Sequence, residues 1–223
     1  MSVRNNESFV SKSIDSILNQ TYRNFEFLIV DDFSNDNTYK IIKEYEKKDK
    51  RIKVFKNDEN LGLTKSLNNL IAIAKGQIIA RQDGDDISLK QRFLKQVNYF
   101  QSSKYEFCFT RAKALQGGRI MPKYSYYFPS TWVSNYKNPF IHGTLMIRKN
   151  TLAEVGNYNE NFYYAQDYKL IKDLLDSNKK FKYIREPLYK INTENNISTL
   201  KKIEQNYYSE LVKKRQKPRK TIK

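Results

Sequence analysis

The stretch FEFLIVDDFSNDNTYKIIKEYEKKD, residues 25–49, contains a strand pattern, an acidic turn and a helix pattern in direct succession. The aliphatic and aromatic run over 25–30 predicts a buried strand, because it is short and almost continuously apolar. It ends at Asp31 and Asp32, and the apolar residues that follow return at helical spacing. The stretch therefore predicts one strand-to-helix unit with two carboxylates at the end of the strand.

The same unit recurs on both sides of this stretch. Strand patterns lie at 52–56, 77–81 and 105–110, and amphipathic helical patterns separate them. Regular alternation of strands and helices predicts an α/β fold with a mostly parallel, doubly wound sheet flanked by helices. Ligands of such sheets bind beyond the carboxyl ends of the strands. Two acidic groups, Asp31-Asp32 and Asp83–Asp86, fall at such ends.

The pattern loosens over 113–140, and an irregular segment of this length favours a functional flap over an ordinary surface loop. Regular patterns then resume, with no composition typical of a linker. We therefore expect one domain over 1–198, followed by a C-terminal helix and basic tail over 199–223. The predicted elements after the flap are a strand in GTLMIRK, a helix in YYAQDYKLIKDLLDSN, closing strands in FKYIRE and LYKIN, and a helix in STLKKIEQNYYSELVKKR.

Composition narrows the class of protein. The single cysteine, Cys108, excludes an internal disulfide framework and favours a reducing cytoplasm. The 223 residues contain no run of about 18 apolar residues and no secretory leader pattern. We therefore expect neither a transmembrane helix nor a signal peptide.

The chain has a formal net charge of +17, and seven Lys and Arg lie in its last thirteen residues. An anionic surface is one partner for such a tail, and a disordered end is the alternative. For the rest of the chain, a basic face that binds polyphosphates or lipid headgroups competes with an ordinary solvated surface. A nucleic-acid-binding protein would explain the charge but not the acids at strand ends, so we expect no nucleic acid partner.

Asp83, Asp85 and Asp86 place three like charges within four positions. A divalent cation that prefers oxygen ligands, Mg²⁺ or Mn²⁺, would relieve their mutual repulsion. The structural alternative is a turn, since Asp-Gly is a common turn dipeptide and Asp86 or Ser88 could cap the following helix. The acid spacing of a calcium-binding EF-hand loop is absent.

Asp31 and Asp32 lie too early to cap the helix that follows them, for which Ser34, Asp36 and Asn37 are available. A carboxylate at the end of a strand can accept hydrogen bonds from a ribose or a base. The sequence contains no Gly-x-Gly-x-x-Gly motif and no P-loop, so it supports neither a common dinucleotide fold nor an NTPase.

Asp167 stands at the start of an amphipathic helix, where it could be an N-cap or a general base that projects into a cleft. His142 is the only histidine, and a lone histidine is more often a structural hydrogen-bonding residue than a catalyst. Since no second histidine or cysteine accompanies it, zinc sites and cysteine–histidine nucleophiles are excluded.

Four segments of the chain share one family pattern. They are ESFVSKSIDSILNQTYRNFEFLIVDDFSNDNT, NDENLGLTKSLNNLIAIAKGQIIARQDGDDIS, NPFIHGTLMIRKNTLAEVGNYNENFYYAQDYKL and LYKINTENNIS. Together they resemble glycosyltransferase family 2, the inverting enzymes of the GT-A fold, over nearly all of residues 1–198 and in the family's order. The resemblance implies a metal-dependent enzyme that moves a sugar from a nucleotide-sugar, such as a UDP-sugar, to a glycan or lipid-linked acceptor in cell-surface polysaccharide synthesis.

The resemblance also implies roles for individual residues. Asp32, together with Asp31, would contact the nucleotide base or ribose. The DxD motif from Asp83 to Asp85 would bind the cation and the diphosphate, with Asp85 as the direct ligand of Mn²⁺ or Mg²⁺. Asp167 would be the catalytic base that takes the proton of the acceptor hydroxyl.

Three further residues are candidates for substrate contacts. Arg81 and Lys65 could offset phosphate charge, although long basic side chains near a strand end are usually solvated. His142 lies in a matching segment. The enzyme would work in the cytoplasm, with the basic tail docked on the anionic inner face of the membrane.

Two departures from the family pattern qualify this prediction. Only MSV precedes RNNE, so the first strand is almost absent, and Ser2 falls where a base-contacting residue is expected. Either residues upstream complete this strand or the chain is damaged, so an inactive remnant or nucleotide-sugar-binding subunit is the alternative function. In KINTENN, relatives often have a histidine and one residue fewer, so a diphosphate or acceptor contact is expected to be lost.

Overall fold

The computed structural model describes residues 1–101, 104–194 and 201–218. Its strands are β1 (Ser2–Val3), β2 (Phe27–Asp31), β3 (Ile52–Lys56), β4 (Ile78–Ala80), β5 (Ile87–Ser88), β6 (Phe107–Ala114), β7 (Ile120–Met121), β8 (Met146–Arg148) and β9 (Phe181–Ile191). Its α-helices are α1 (Val10–Leu18), α2 (Thr38–Lys48), α3 (Leu63–Ile73), α4 (Arg92–Val97), α5 (Ser130–Val133), α6 (Lys149–Glu154), α7 (Gln166–Asp176) and α8 (Lys202–Lys213).

The first sheet contains β1, β2 and β3 in that order, and both of its pairings are parallel. Helix α1 connects β1 to β2, and α2 connects β2 to β3. This sheet confirms the prediction from residues 25–49, because parallel neighbours need a crossover and a helix supplies it. The predicted shortening of the first strand is also observed, since β1 has two residues.

The second sheet has the order β4-β8-β6-β9-β5, with β7 paired to β6. Within the described part of the chain, only the β6–β9 pairing of this sheet is parallel, and the other four pairings are antiparallel. The α/β class is confirmed, but the parallel arrangement is limited to the first sheet and this one pairing. One of the antiparallel pairings is local, because β6 and β7 are joined by a hairpin turn in which Gly117 and Gly118 have φ of +67° and +65°. The other three join strands that are distant in the sequence.

The two predicted closing strands form one strand, β9, which continues through Pro187. Its pairing with β6 is irregular between Thr110 and Ala112, where the register shifts. A proline cannot donate to the ladder, so a register irregularity opposite it is the usual accommodation. The C-terminal part of β9 pairs with the short strand β5, which positions it beside the acidic turn.

Apolar side chains are buried beneath the helices in three clusters. In the first, α1 and α2 pack on β2; in the second, α3 and α7 pack on β6 and β8. In the third, Tyr208 and Val212 of α8 pack against Phe162, Tyr164 and Tyr168, so α8 lies on α7. Burying each such side chain contributes about 1.5–3 kcal/mol. Within the described residues, none of the helices combines the length and the apolar character needed to cross a membrane.

Candidate functional site

The carboxylate of Asp32 organises the loop that leads into α3. Its own N–H, just beyond β2, donates to the carbonyl of Val3 in β1 at 2.8 Å. Its carboxylate oxygens accept the N–H groups of Leu61 and Gly62, each at 2.9 Å, and Nδ2 of Asn57 at 2.8 Å. Among these bonds Oδ2 accepts only that of Gly62, so it retains a lone pair that a ligand could use.

Asp31 is fully buried at the end of β2. Its Oδ2 accepts the N–H of Ser34 at 3.1 Å, while Oδ1 has no hydrogen-bond partner among the described residues. A ligand group that donates to this buried oxygen would remove its desolvation cost. Of the predicted caps for α2, Asp36 accepts the N–H of Thr38 at 2.9 Å, whereas Asn37 makes no side-chain cap bond.

Gly84 packs the acidic turn against β1. A Cβ at this position would lie 2.6 Å from Cγ1 of Val3 and 2.8 Å from Nδ2 of Asn6, so the close approach requires glycine. Val3 also accepts the N–H of Asp32, and Ser2 precedes it in β1. The structure thus places Ser2, Asp32 and the acidic turn at one edge of the sheets.

Each carboxylate of the acidic turn has a different environment. Asp83 forms an ion pair with Arg81, whose side chain is buried. Oδ1 of Asp86 accepts the N–H of Asn192 at 2.7 Å, and Oδ2 of Asp85 lies 3.5 Å from Nδ2 of the same asparagine. Because Asn192 directly follows β9, this strand anchors the turn.

The proposed capping role of Asp86 or Ser88 is wrong. Ile87–Ser88 form a strand that pairs with β9, and the next helix begins only at Arg92. The hydroxyl of Ser88 donates to Oε1 of Gln82 at 2.7 Å, so it stabilises the turn rather than a helix end.

Burial and like charge raise the pKa values of two of these carboxyl groups. The pKa of Asp85 is raised, first by burial and then by the charge of Asp83. Burial, followed by the charges of Asp83 and Asp85, raises the pKa of Asp86 to about 8. The fold therefore holds the carboxylates of the turn together against their mutual repulsion, and a bound cation would offset this repulsion.

The donor set of the turn allows a test of its fit to a divalent cation. No cluster of three or more Asp, Glu, His or Cys side chains within the described ranges could hold a metal by itself. Mg²⁺ is usually bound by one or two protein carboxylates, with other oxygens supplied by substrate phosphates and water. Asp83 and Asp85 would supply these two protein carboxylates. The residues therefore fit a cation that is shared with a diphosphate.

Two buried arginines support the turn. Arg81, which the sequence suggested as a helper against phosphate charge, is 5% exposed and pairs with Asp83. Arg92 is fully buried and donates to the carbonyl of Arg81 and to Oγ of Ser88, each at 2.8 Å, and to Oε1 of Gln82 at 3.2 Å. Sequence reasoning missed Arg92, because its place in an amphipathic pattern gives no signal of burial.

Asp167 is the second residue of α7, and Ala165 is the N-cap, with φ of 53° and no side-chain cap bond. The N-cap interpretation of Asp167 is therefore wrong. Its Oδ2 accepts Nδ2 of Asn138 at 2.7 Å, while Oδ1 of Asn138 accepts the N–H of Phe140 at 2.9 Å. The asparagine is thereby fixed with its donor toward Asp167, and the helix N-terminus favours an anionic carboxylate.

The half-buried His142 lies close to the acidic turn, because the neighbouring Gly143 packs against Tyr189, whose hydroxyl accepts the N–H of Asp83. Its Nε2 is 2.6 Å from the hydroxyl oxygen of Tyr158. Burial, and then the charge of Arg81, lower the pKa of His142 to about 4, so the ring is neutral near pH 7. The charges of Asp83 and Asp167 also act on this ring, in the direction that raises its pKa.

Lys65 is exposed on α3, and none of the hydrogen bonds in the described part of the chain joins it to the site.

Several residues of the site gave no usable signal in the sequence. The hydroxyl of Tyr189, for example, accepts the N–H of Asp83 at 3.2 Å from within a predicted closing strand. The Asn138-Pro139 dipeptide could have indicated a turn at Asn138, but the other missed residues had no such signal. The missed residues are Arg92, Asn138, Tyr158, Tyr189 and Asn192.

Solved structures confirm the GT-A fold. TarS 1-349 of S. aureus in complex with UDP superposes with a TM-score of 0.73 at 18% identity, over 95% of this chain and 68% of that chain. The mannosyltransferase PcManGT from Pyrobaculum calidifontis, in complex with GDP-Man and Mn²⁺, gives a TM-score of 0.74 at 16% identity, over 93% and 59%. At these identities the likeness shows the fold alone.

Sequence comparison identifies the family. The model for glycosyl transferase family 2 matches residues 1–157. The uncharacterized glycosyltransferase MJ1057 of Methanocaldococcus jannaschii is 34% identical over 206 residues, which are 88% of this chain and 71% of that protein. The chain therefore belongs to glycosyltransferase family 2, and its enzyme class is that of a glycosyltransferase.

Two relatives from Escherichia coli have more specific names. The O-antigen biosynthesis glycosyltransferase WbnJ is 32% identical over 76% of this chain and 68% of its own length. The UDP-Glc:alpha-D-GlcNAc-diphosphoundecaprenol beta-1,3-glucosyltransferase WfgD is 30% identical over 78% and 67%. With five curated relatives, the chain spans 55% to 71% of their lengths.

Proposed function

We propose that this protein is a metal-dependent, inverting glycosyltransferase that uses a nucleotide-sugar donor. The observation that carries the proposal is that the acidic turn packs against β1, whose Val3 accepts the N–H of Asp32, so that both acidic groups lie at one edge of the sheets. A donor diphosphate would lie at the acidic turn, and an acceptor hydroxyl would lie at Asp167. The complexes of TarS with UDP and of PcManGT with GDP-Man and Mn²⁺ support the donor class, and we propose a UDP-sugar.

Asp83 and Asp85 would hold Mn²⁺ or Mg²⁺ together with the diphosphate. Asp85 would be the direct ligand, because Asp83 is already paired with Arg81. When bound, such a cation supplies Lewis-acid stabilisation of charge on the leaving diphosphate. The contribution of the chain is to position its ligands, through the ion pair of Arg81 and the contacts of Asn192.

Asp167 would accept the proton of the attacking hydroxyl. Asn138 orients it through the 2.7 Å hydrogen bond, and this bond leaves Oδ1 available for the proton. One base suffices for a single displacement, because the hydroxyl attacks the anomeric carbon opposite the leaving diphosphate and so inverts it. General base catalysis of this kind contributes about 10²- to 10⁴-fold to the rate.

The nucleotide would bind at the ends of β1 and β2. Asp32 can accept a further hydrogen bond at Oδ2, and the buried Oδ1 of Asp31 lacks a donor among the described residues. Ser2 lies in the neighbouring strand β1. These three residues are proposed to contact the base or ribose.

The acceptor is proposed to be a glycan or a lipid-linked glycan in cell-surface polysaccharide synthesis. The names of WbnJ, for O-antigen biosynthesis, and of WfgD, for a diphosphoundecaprenol acceptor, support this role. A lipid-linked acceptor would require the enzyme to work in the cytoplasm at the inner face of the membrane. The surface of the molecule contains a group of exposed side chains suited to contact with a membrane.

Five large aromatic side chains are exposed by 52–75% around α5, with Phe128, Trp132 and Tyr136 in ring contact. We call this group, together with the basic end of α8, the aromatic–basic face. Aromatic rings with a polar edge favour the membrane interface, and clustered lysines and arginines favour anionic lipid. The face contains Tyr124, Tyr127, Phe128, Trp132, Tyr136, Lys213, Lys214, Arg215 and Lys217.

The two parts of this face are joined by side-chain contacts. Arg215 pairs with Asp176 at 3.0 Å, and Lys172 pairs with the same aspartate at 3.4 Å. Nζ of Lys172 also donates to Oδ1 of Asn135 at 2.8 Å, one residue before Tyr136. Aromatic and basic residues therefore lie close enough to meet one lipid surface.

Isothermal titration calorimetry with UDP tests the proposal. We expect UDP to bind much more tightly with Mn²⁺ than with EDTA, and Asp85→Asn to remove that difference. Asp58→Asn, at an exposed aspartate, is the matched control and should behave as the unaltered protein. Binding of UDP that is absent, or that does not depend on Mn²⁺, would contradict the metal-dependent proposal.

A further inference from the structure

The ring of Tyr126 contacts two residues whose buried polar groups have no partner. Its centroid is 5.0 Å from Cζ of Arg111 in β6 and 4.9 Å from the ring centroid of Tyr183 in β9. Nε of Arg111 and the hydroxyl of Tyr183 are buried, and neither has a hydrogen-bond partner among the described residues. Buried donors without an acceptor are unfavourable, because each has lost water without a replacement. Two of them beside one ring indicate a place for a group that accepts hydrogen bonds.

The charge at this place favours an anionic group. Within the described ranges, Arg111 belongs to none of the ion pairs, and its Nη2 donates to the neutral carbonyl of Pro122 at 3.2 Å. Burial raises the pKa of Tyr183, although the charge of Arg111 acts in the opposite direction. The hydroxyl is therefore protonated near pH 7 and can donate. A guanidinium and a hydroxyl beside the same ring suit the oxygens of a phosphate.

Tyr126 belongs to a short turn whose movement could expose these two groups. It lies in the 3₁₀ turn Ser125–Tyr127, within the irregular segment 113–140. Tyr126 is half-buried, whereas Tyr124 and Tyr127 are 68% and 75% exposed. Because this turn lies outside β6 and β9, an outward movement of the Tyr126 ring leaves the pairing of those strands intact.

A chain of contacts connects this place to the proposed base. The ring centroids of Tyr183 and Phe140 are 5.1 Å apart. The N–H of Phe140 donates to Oδ1 of Asn138, and Nδ2 of Asn138 donates to Oδ2 of Asp167. A group bound at Arg111 and Tyr183 would therefore belong to the substrate whose hydroxyl reaches Asp167, which is the acceptor.

We propose that Arg111 and Tyr183 form a subsite for a phosphate group of the acceptor, and that Tyr126 covers this subsite when it is empty. The inference rests on the proposed function, because it takes Asp167 as the base of a transferase. Phosphate oxygens would accept from Nε of Arg111 and from the hydroxyl of Tyr183, while the ring of Tyr126 moves outward. The neighbours of Tyr126 belong to the aromatic–basic face, so an acceptor joined to a lipid through phosphate would reach the subsite from the membrane side.

Pyrophosphate in the presence of EDTA tests the subsite, because the negative acidic turn repels this anion when no cation is bound. In ¹⁵N-labelled protein, pyrophosphate should shift the Nε–H resonance of Arg111. Calorimetry should show binding about tenfold weaker in Arg111→Gln and in Tyr183→Phe, since each loses a hydrogen bond to the anion. Tyr126→Ala should bind more tightly than the unaltered protein, because no cover has to be displaced. Arg119→Gln, at an exposed arginine of the β6–β7 hairpin, is the matched control and should not change binding.

Several results would overturn the proposal. They are an Arg111 resonance that pyrophosphate does not shift, equal affinities of Tyr126→Ala and the unaltered protein, and a larger shift with glucuronate, which would assign the subsite to a carboxylate. Tyr183→Phe removes a single oxygen, so its fold should be retained.

The donor site provides an independent comparison. Binding of UDP with Mn²⁺ should be the same in Arg111→Gln as in the unaltered protein. An equal loss of UDP and pyrophosphate binding in this variant would place Arg111 at the donor site and overturn the subsite. Pyrophosphate binding as expected, without any binding of UDP and Mn²⁺, would contradict the proposed function and leave the phosphate subsite in place.

Discussion

Burial and neighbouring charge fix the protonation states of the site. Asp86 has a pKa of about 8, raised by burial and by its two neighbours, and His142 has a pKa of about 4, lowered by burial and Arg81. Near pH 7 both groups are therefore mainly neutral. This leaves Asp83 and Asp85 as the pair of carboxylates available to a cation.

Replacing Asp86 with asparagine should remove a component of stability that falls as pH rises. The pKa of Asp86 in the folded state, about 8, lies above the value of about 3.9 for an unfolded aspartate. Between these values the folded protein binds a proton that the unfolded chain releases, so stability falls as pH rises. From pH 5 to pH 8, the free energy of unfolding in urea should therefore rise more, or fall less, in Asp86→Asn than in the unaltered protein. Asp58→Asn, at an exposed residue, should keep the original difference.

Asp167→Asn should leave UDP binding intact while transfer falls about 10²- to 10⁴-fold. The amide is nearly the same size as the carboxylate, but it cannot accept the proton of the acceptor hydroxyl. UDP calorimetry and transfer kinetics would separate the two effects. An unchanged turnover number would remove Asp167 from the role of base. Asp173→Asn, at a surface ion pair of the same helix, is a suitable control.

Among the elements, β1 and the acidic turn depend on each other most closely. Gly84 lies against Val3 and Asn6 without space for a side chain. β1 also fixes the start of the loop after β2, through the bond from Asp32 to Val3. β1, which borders the proposed nucleotide site, and the acidic turn, which would bind the cation, therefore form one packed unit.

Gly84→Ala should lower the free energy of unfolding by about 1–3 kcal/mol, as overpacking of a close contact usually does. It should also weaken UDP binding, because the turn must move away from β1. Gly76→Ala is the matched control, since its Cβ would meet only the carbonyl oxygen of Ile78 at 3.4 Å. Urea unfolding of both variants checks this prediction, and equal stabilities would argue against a packed unit.

The secondary elements could largely be predicted from the sequence, but the pairing of the later strands could not. Strands β2, β3 and β6 and helices α1 to α3 have strong apolar periods that depend only on local sequence. The pattern of β8 is equally apolar, yet it predicts no partner. β8 pairs antiparallel with both β4 and β6, and those contacts join residues about 40 to 70 positions apart.

For the whole molecule, the aromatic–basic face contains four of the 41 lysines and arginines of the chain. Its exposed rings around α5 are joined to the basic end of α8 through Lys172 and Asp176. The charge runs in the sequence could not reveal this, because the two segments are about 80 residues apart.

Trp132, the only tryptophan, reports directly on docking of this face. Its side chain is 52% exposed, so insertion into a bilayer should shift its fluorescence to shorter wavelength. We expect this shift with vesicles that contain phosphatidylserine and not with phosphatidylcholine alone. Phe128→Ser and Lys214→Glu should weaken vesicle binding, whereas Phe55→Ser, at an exposed residue on β3, should not. Emission that is unchanged by anionic vesicles would contradict the docking.

The sequence by itself determined the α/β class, the family and the identity of the acidic residues, because apolar periods and short motifs are local properties. Only the tertiary structure decided that Asn138 orients Asp167, that Tyr158 faces His142 and that burial raises the pKa of Asp86. Those properties arise from burial and from contacts between distant segments. A linear pattern does not specify them, since it contains neither solvent exposure nor distance in space.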